Sequence, residues 1–253
     1  MIRILLSGAS GRLCTTIGRL AADRDDIEIL GGIDLQPAAG SPYPIWQDYA
    51  ELPSVPDVII DCSHHTAVGK LLAYAKANQV PVVICTTGHT EDETAQIHEA
   101  SAFIPVLHSR NMSLGINLLS ELVRKTAAVL GQEYDIEILE MHHNKKLDAP
   151  SGTALMLAEA AAEGRDGESE FVYDRHAVRK AREKKEIGIS SIRGGTIVGE
   201  HEVIFAGTDE VIKLSHSAGS RDLFAVGAIK AALYLACRQP GFYTMADVCR
   251  DML

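Results

Sequence analysis

The stretch Ile2–Gly11, IRILLSGASG, decides the fold class, because a short apolar run passes directly into a glycine-containing turn. The residues from Gly11 to about Asp23 then have the spacing of an amphipathic helix. Similar apolar runs follow at 27–34, 58–63 and 80–88 (IEILGGID, VIIDCS and VPVVICTTG). Because helical patterns alternate with these strands, the sequence predicts an α/β domain built on a parallel sheet.

The second half of the chain differs, because several strand patterns follow one another with one intervening helix. These patterns are DIEILEMHH at 135–143, EIGISSIRGG at 186–195, TIVGEHEVIFAG at 196–207 and DEVIKLSHSA at 209–218. Glycine-rich turns separate the last three patterns, which favours antiparallel hairpins. We therefore expect an α+β domain with a mostly antiparallel sheet. The small-residue helix pattern at 224–237 resembles the first half and predicts a return to that domain.

The composition limits the class of protein. The 253 residues are 46% hydrophobic and 23% charged, as in a globular chain of two domains. A formal net charge of −10 argues against a nucleic-acid or membrane partner. Five cysteines without a CxxC pair predict free thiols in a reducing cytosol, and no apolar run reaches the ~20 residues of a membrane span. We expect a cytoplasmic protein without a signal peptide.

The glycine turn has the pattern of a phosphate-binding loop. Glycines let the backbone approach a diphosphate, and the start of the following helix offers unpaired N–H groups. Cys14 stands where a third glycine is often found, and such turns also join strands to helices for structural reasons alone. The residues predicted to cradle the diphosphate are Gly8, Ala9, Ser10, Gly11, Arg12 and Leu13.

Asp34 strengthens the case for a dinucleotide. It ends the second strand pattern roughly 20 residues after the turn, where an acidic side chain usually bonds the adenosine ribose. Leu35 and Gln36 follow, so no neighbouring cation neutralises a 2′-phosphate. The sequence therefore predicts a nicotinamide cofactor, NADH or NADPH, with NADH preferred. Thr86 and Thr87 end a further strand at the same sheet edge and are either nicotinamide contacts or simple turn residues.

The densest cationic cluster lies in Glu140–Ala154, EMHHNKKLDAPSGTA. A metal site is one interpretation of His142 and His143, but no third ligand stands at a recognisable spacing from this pair. Paired histidines beside two lysines in an acidic protein favour an anion site instead. His142 suits a proton donor because histidine ordinarily titrates near neutrality, and Lys146 is a second candidate.

The end of this segment has the features of a helix start. Ser151 is a candidate N-cap, and Gly152 and Thr153 offer exposed N–H groups. A carboxylate fits such a helix terminus. The sequence thus predicts a small dianionic substrate and no metal.

The segment EMHHNKKLDAPSGTA resembles the EHHxxKxDAPSGTA signature of the 4-hydroxy-tetrahydrodipicolinate reductase family, also called dihydrodipicolinate reductase, of bacterial lysine biosynthesis. Further motifs extend the resemblance over essentially the whole chain. GASGR is similar to the family's GxxGRMG, VICTTG to GTTG, HSRNMSLGIN to NxSxG(V/I)N, and SIRGGTIVGEH to its R-x-G-x-x-V-G-x-H pattern. The implied reaction is the NAD(P)H-dependent conversion of (2S,4S)-4-hydroxy-2,3,4,5-tetrahydrodipicolinate to (S)-2,3,4,5-tetrahydrodipicolinate with loss of water.

The resemblance also implies roles for particular residues. His142 is the expected proton donor or acceptor and Lys146 a second donor, while His143 binds substrate carboxylates together with the helix start at Ser151, Gly152 and Thr153. The expected cofactor contacts are the glycine turn, Asp34, Cys85, Thr86, Thr87, Arg110, Asn111, Met112 and Ser113.

The same resemblance implies a domain plan. Residues 1–113 and 222–253 would form a Rossmann-like dinucleotide-binding domain. Residues 114–221 would form a substrate-binding domain whose sheet joins a homotetramer.

Three positions depart from the family pattern, and each adds a side chain beside the expected cofactor. Leu13 replaces a methionine, Cys14 a glycine, and Cys85 the first glycine of GTTG. Two other functions remain open on the first domain alone: an amino-acid or semialdehyde dehydrogenase, and a cofactor-sensing protein without turnover. The histidine–lysine cluster disfavours the first, and the second leaves His142 and Lys146 without a role.

Overall fold

The computed structural model describes residues 1–36 and 40–252, and the chain divides into two compact units. The first unit comprises Met1–Leu114 and Asp222–Leu253, and the second comprises Gly115–Arg221. Strands run β1 Ile2–Ser7, β2 Ile27–Ile33, β3 Ile45–Trp46, β4 Val58–Asp61, β5 Val82–Ile84, β6 Pro105–His108, β7 Asp135–His142, β8 Glu170–Val172, β9 Glu186–Arg193, β10 Glu200–Ala206, β11 Val211–Ser217 and β12 Gly241–Tyr243. Helices run α1 Arg12–Ala21, α2 Val68–Asn78, α3 Glu91–Ala100, α4 Leu114–Leu130, α5 Gly152–Gly164, α6 Asp222–Leu235 and α7 Met245–Asp251.

The sheet of the first unit is parallel, with strand order β12-β6-β5-β4-β1-β2-β3. Helices cover both faces, because alternate residues of β1 and β4 pack into two different apolar cores. Ile4 and Leu6 face the core that includes α1 and α6, whereas Leu5 faces the one that includes α2 and α3. Strands buried on both faces read as continuous apolar runs, so the predicted α/β fold class is confirmed.

The sheet of the second unit is mixed, with strand order β11-β10-β7-β9-β8. β10 pairs antiparallel with both β11 and β7, but β7–β9 and β9–β8 are parallel pairs. The expectation of a mostly antiparallel sheet is therefore corrected, and of the two expected hairpins only β10–β11 forms. The reason is that β7 lies between β9 and β10, while α5 supplies the crossover that a parallel pair requires.

One face of this second sheet changes from apolar to polar along its strands. Ile136, Ile138, Val203 and Phe205 are buried in an apolar core together with residues of α4 and α5. Further along, the same alternation places Glu140 and His142 of β7 on that face, and Glu140 lies opposite His201 of β10. The sheet thus carries a polar site at one end of an apolar core.

Among the residues that the structure describes, no helix is both long enough and apolar enough to cross a bilayer.

Candidate active site

The glycine turn of the first unit brings its backbone against a neighbouring strand end. Gly8 adopts φ +77°, and a Cβ built on it would lie 2.7 Å from the carbonyl oxygen of Cys62. The Gly8 N–H donates to the Ile33 carbonyl at 2.9 Å, which fixes the turn to the end of β2. Only glycine suits this position, because a side chain would meet both strain and a clash. The turn therefore keeps open the space that a diphosphate needs, and its residues fit a dinucleotide.

Asp34 lies immediately beside this turn. Its Oδ2 accepts the Ser10 N–H at 2.9 Å, and its Oδ1 accepts the Gln36 N–H at 3.0 Å. These bonds orient the carboxylate, while each oxygen keeps a further lone pair for a ribose hydroxyl. Asp34 can thus hold the turn and bind a sugar at once.

A cleft of about 480 Å³ opens beside Gly8, Gly11 and Asp34. Other side chains in its lining lie outside the sequence-predicted set: Gln47, Asp48, Tyr49, Ser63, His64, Thr66 and Lys70. Lys70 matters most, because the sequence places no cation next to Asp34, whereas α2 carries this one to the same cleft. Its distance of 36 residues from Asp34 explains why local spacing missed it.

The remaining predicted cofactor residues have varied surroundings. Thr86 is buried, and its hydroxyl donates to Asp61 Oδ2 at 2.6 Å, whereas Thr87 is exposed. Buried Asp61 also accepts the Ser63 hydroxyl at 2.6 Å, so it ties the ends of β4 and β5 together. The hydroxyl of Thr86 therefore has a structural partner, and its backbone remains the part suited to a ligand.

The segment 110–113 forms a compact turn before α4. Asn111 Oδ1 accepts the Ser113 N–H at 2.9 Å, and Ser109 donates its hydroxyl to the Asn111 carbonyl at 2.8 Å. Met112 and Ser113 are buried, whereas Arg110 is exposed. Neither this turn nor Cys85–Thr87 lines the cleft that contains Asp34.

In the second unit, a buried carboxylate organises the cationic cluster. Glu140 is fully buried, and Arg193 binds it through two parallel bonds of 2.7 and 2.8 Å. Burial alone would raise the pKa of Glu140, but hydrogen bonds from Arg193, His142 and Ser191 outweigh it and lower the pKa to about 2. Glu140 is therefore ionised at neutral pH and acts only as an acceptor.

The charge of Glu140 fixes the tautomer of His142. The distance from His142 Nδ1 to Glu140 Oε2 is 2.6 Å, and because the carboxylate can only accept, Nδ1 carries the proton. Nε2 is left as the nitrogen that can give or take a proton, as in carboxylate-oriented histidines generally. Gly199 leaves room beside this nitrogen, since a Cβ built there would lie 3.1 Å from Nε2.

His143 and Lys146 follow in the loop after β7. The Nδ1 atom of His143 is buried, and no hydrogen-bond partner for it lies within the described part of the chain. Lys146 is mostly buried and pairs with exposed Asp148, with 2.8 Å from Nζ to Oδ1. Arg193 also donates to the Asp148 carbonyl at 2.6 Å, so the loop is held against β9.

The helix start at Ser151 is built as the sequence predicts, but Ser151 itself is buried. Its hydroxyl accepts the Ala154 N–H at 3.1 Å, and its own N–H donates to Glu140 Oε1 at 3.1 Å. Gly152, in contrast, is exposed, with no atom within 4 Å of a Cβ built on it. Ser151 is thus committed to contacts within the chain, while Gly152 faces open space.

His201 is a buried neighbour that sequence reasoning did not assign to the site. Its ring lies 5.2 Å from that of His142, and its Nε2 lies 3.1 Å from the Ser151 hydroxyl. Burial, then the adjacent His142, lowers the pKa of His201 to about 4, so it is neutral at pH 7. Arg193, which clamps Glu140, was also missed. Both stand in the SIRGGTIVGEH motif, which was the available signal.

The side chains that the structure describes include no group of three or more His, Cys, Asp or Glu arranged to hold a metal ion. The polar cluster of the second unit is instead an ion-paired network with His142 Nε2 and Gly152 at its margin.

Family models and curated relatives match both units of the chain. The models of the dihydrodipicolinate reductase N-terminus and C-terminus match residues 2–112 and 115–249. The 4-hydroxy-tetrahydrodipicolinate reductase of Caldanaerobacter subterraneus is 46% identical, over 99% of each chain, and that of Clostridium novyi is 45% identical, also over 99% of each.

Solved structures support the same fold. A dipicolinate-bound dihydrodipicolinate reductase from Paenisporosarcina sp. TG-14 superposes with a TM-score of 0.77 at 23% identity, over 96% of this chain and 97% of the other. A diaminopimelate dehydrogenase from C. glutamicum reaches 0.59 at 16% identity, over 97% and 93%. The family expected from the HHNKKLDAPSGTA segment is confirmed, and the chain belongs to the dihydrodipicolinate reductase family.

Proposed function

We propose that this chain catalyses the NAD(P)H-dependent reduction of (2S,4S)-4-hydroxy-2,3,4,5-tetrahydrodipicolinate to (S)-2,3,4,5-tetrahydrodipicolinate, with release of water, in the diaminopimelate route to lysine. The observation that carries the proposal is the pair formed by buried Glu140 and His142, with 2.6 Å between Oε2 and Nδ1. This pair leaves one histidine nitrogen for proton transfer near a helix start that carries a partial positive charge. Family membership supports the substrate.

His142 is assigned the proton-transfer step. A bound dinucleotide would supply a hydride, and the negative charge left on the substrate would then need a proton, which is the role assigned to this side chain. His142 presents Nε2 for this purpose, because Glu140 holds Nδ1 in its protonated form. Glu140 also stabilises the imidazolium, so the same contact supports both protonation states.

Lys146 is assigned a second, supporting role. Its ammonium group pairs with Asp148 at 2.8 Å, and Asp148 is 59% exposed, so substrate can displace or share that partner. An ammonium at this place attracts a dianion and can also donate a proton. We expect its loss to affect both turnover and substrate binding.

The two carboxylates of the substrate are assigned to the helix start and to His143. Gly152 is the first residue of α5 and exposed, and it offers an N–H together with the partial positive charge of the helix terminus. Thr153 follows it, and the buried Nδ1 of His143 has no partner in the described chain. Ser151 contributes indirectly, since its bonds to Ala154 and Glu140 hold the helix start in position.

The dinucleotide is assigned to residues 8–13 and Asp34, with residues 85–87 and 110–113 at its nicotinamide end. Residues 1–113 with 222–253 then form the dinucleotide-binding domain and 114–221 the substrate-binding domain. Asp34 favours NADH, because its carboxylate repels a 2′-phosphate. Lys70 lines the same cleft, and its positive charge acts against this repulsion of the 2′-phosphate.

Catalytic efficiency with the two cofactors tests the NADH preference. We expect wild type to favour NADH, and Asp34→Asn to gain NADPH efficiency by about tenfold, since a charge repulsion of ~1.4 kcal/mol is removed. Asp25→Asn, an exposed carboxylate outside the cleft, is the control. A wild-type preference for NADPH would overturn the assignment.

We also propose a cytoplasmic homotetramer joined through the second sheet. The face of that sheet opposite α5 carries Ile192 and Val211, which are 44% and 56% exposed. Sedimentation should give a mass of four chains, and Val211→Glu should lower it. A monomer at micromolar concentration would contradict this assembly.

The reaction is tested by following NADH absorbance with substrate generated in place by a dihydrodipicolinate synthase. We expect NADH oxidation that depends on that substrate. Oxidation of an amino acid or semialdehyde with NAD instead would indicate a dehydrogenase. NADH binding without any turnover would indicate a sensing protein.

A further inference from the structure

Three of the five cysteines meet in the first unit. Cys14 belongs to α1, Cys62 follows β4, and Cys85 follows β5. All three side chains pack against one apolar core, and the Cys14 thiol donates to the Ser7 carbonyl at 3.5 Å. Cys14 is fully buried, whereas Cys62 and Cys85 are half-buried. The chain has therefore built a cluster of thiols rather than scattered single ones.

The register of the parallel strands sets the spacing of two of these residues. Asp61 of β4 pairs with Ile84 of β5, so Cys62 and Cys85 are the next residues in line, just beyond the ends of two neighbouring strands. Adjacent strands lie ~4.8 Å apart, and disulfides join residues whose Cα atoms are ~4.4–6.8 Å apart. Since both side chains pack against the same apolar core, the pair can be bridged with little movement of the backbone.

The surroundings of Cys62 favour its thiolate. The neighbouring thiols of Cys14 and Cys85 lower the pKa of Cys62 to about 6, against the opposing effects of burial and of the Asp61 charge. The same contacts with Cys62 raise the pKa of the other two thiols, which therefore stay protonated. Thiolate is the reactive form of cysteine, so one nucleophile faces two thiol donors.

Cys62 is also reachable. It lines the cleft of about 480 Å³ that contains Gly8 and Asp34. Two members of the cluster, Cys14 and Cys85, stand where the family signature has glycine. The reduction proposed above assigns residue 85 to the dinucleotide site, but no step of that reaction uses the thiol of Cys14 or of Cys85.

We propose that Cys62 is a site of oxidation by hydroperoxides, and that Cys85 resolves the product into a Cys62–Cys85 disulfide. The Cys62 thiolate attacks one peroxide oxygen, the O–O bond breaks, and the leaving oxygen takes a proton from water. The resulting sulfenic acid is attacked by the Cys85 sulfur, which loses its proton as an S–S bond forms and water leaves. The two thiols lose two electrons, and the peroxide is reduced.

Peptide mapping by mass spectrometry tests the disulfide without measuring turnover, so its outcome is independent of the reductase proposal. The full chain is treated with one equivalent of hydrogen peroxide, and free thiols are then blocked with iodoacetamide. We expect a Cys62–Cys85 cross-linked peptide, with exposed Cys237 alkylated as the internal control. A Cys14–Cys62 bridge, or oxidation that begins at Cys237, would overturn the proposal.

Two variants and one alkylation rate distinguish the oxidation of Cys62 from the later formation of the disulfide. Cys85→Ser should accumulate the sulfenic acid at Cys62, trapped by dimedone, whereas Cys62→Ser should leave Cys85 reduced under the same peroxide. In the wild type at pH 6, iodoacetamide should modify Cys62 about tenfold faster than Cys237, because the thiolate is the form of cysteine that reacts. Equal rates at the two cysteines, or oxidation of Cys85 in Cys62→Ser, would contradict the scheme.

Discussion

The glycine turn around Gly8 and the charged cluster around Glu140 are both proposed to bind anions, but they are built by different means. The turn uses backbone: Gly8 adopts φ +77°, and its neighbours occupy one continuous stretch that ends at the start of α1. The cluster uses side chains from three strands, with Glu140 on β7, Arg193 on β9 and His201 on β10. One site is local in sequence, and the other exists only after the sheet forms.

This difference separates binding from proton transfer. A backbone site offers fixed N–H groups that do not titrate, which suits a diphosphate that only has to be held. The side-chain site contains a buried carboxylate, a clamping guanidinium and two histidines, which suits a group that must exchange a proton. Variants of the turn should therefore weaken dinucleotide binding, whereas variants of the cluster should change turnover, stability or pH dependence.

His142→Gln should give the largest effect, because it removes the nitrogen that transfers the proton. We expect kcat to fall about 10²- to 10⁴-fold, the usual value of general acid–base catalysis, while the Kd for NADH stays unchanged. Stopped-flow NADH oxidation measures kcat, and fluorescence titration measures the Kd for NADH. His176→Gln, an exposed histidine of the same unit, is the control. If His142→Gln weakened NADH binding as much as it lowered kcat, the proposed division between dinucleotide binding and proton transfer would be contradicted.

Arg193→Ala should destabilise the second unit more than any change in the turn. It leaves the fully buried carboxylate of Glu140 without its bidentate partner, and breaking such a pair costs about 3–5 kcal/mol. Urea unfolding measures the loss. The double variant Glu140→Gln with Arg193→Met should be more stable than Arg193→Ala, since no buried charge is left alone. If the losses of stability from the Glu140 and Arg193 changes simply add up in the double variant, the proposed pairing of these two side chains is contradicted.

His201 should make the stability of the protein pH-dependent. Its pKa is lowered to about 4 in the fold and returns to about 6.5 on unfolding. The unfolded chain therefore binds the proton first, so stability falls as the pH decreases from about 6.5 to about 4. The loss from this group reaches up to about 3 kcal/mol. Thermal unfolding of wild type and His201→Gln should show a shallower slope in the variant. Identical slopes of stability against pH in the two proteins would show that His201 does not cause the pH dependence.

Gly8→Ala should have a smaller effect on folding and a clear one on dinucleotide binding. A side chain at φ +77° costs about 1–2 kcal/mol, and its Cβ would meet the Cys62 backbone at 2.7 Å. We expect the Kd for NADH to rise about tenfold or more, by fluorescence titration. Gly40→Ala is the matched control, since Gly40 has φ +78° and nothing within 4 Å of a Cβ. Gly40→Ala should lose stability but keep its affinity for NADH. An equal loss of NADH affinity in Gly8→Ala and Gly40→Ala would contradict the role of the glycine turn in dinucleotide binding.

The same contrast explains what the sequence could predict. The turn, Asp34 and the strands of the first sheet follow from apolar periodicity and glycine placement, which are local signals. The helix start at Ser151 was also predictable, because capping depends on neighbouring residues. Local spacing did not place Lys70 in the cleft that contains Asp34, since a helix from another part of the chain brings it there.

The second sheet shows the limit most clearly. Gly-Gly between two strand patterns predicted a hairpin, yet β7 pairs with both β9 and β10 and separates them. Pairing between distant strands depends on which faces bury together, and turn residues do not encode it. The contact of Arg193 with Glu140 is a consequence of that pairing, so spacing could not reveal it.

The central claim is that the segment from His142 to Thr153 binds a dicarboxylate, and Gly152 allows its most direct test. As the first residue of α5, Gly152 can become proline with little strain, because Ser151 before it is already extended at ψ 152°. Gly152→Pro deletes one N–H, whereas Gly152→Ala keeps it. Calorimetric titration with dipicolinate, in the presence of NADH, should show wild-type affinity for Gly152→Ala and about tenfold weaker binding for Gly152→Pro. Equal affinity in both variants would contradict the account.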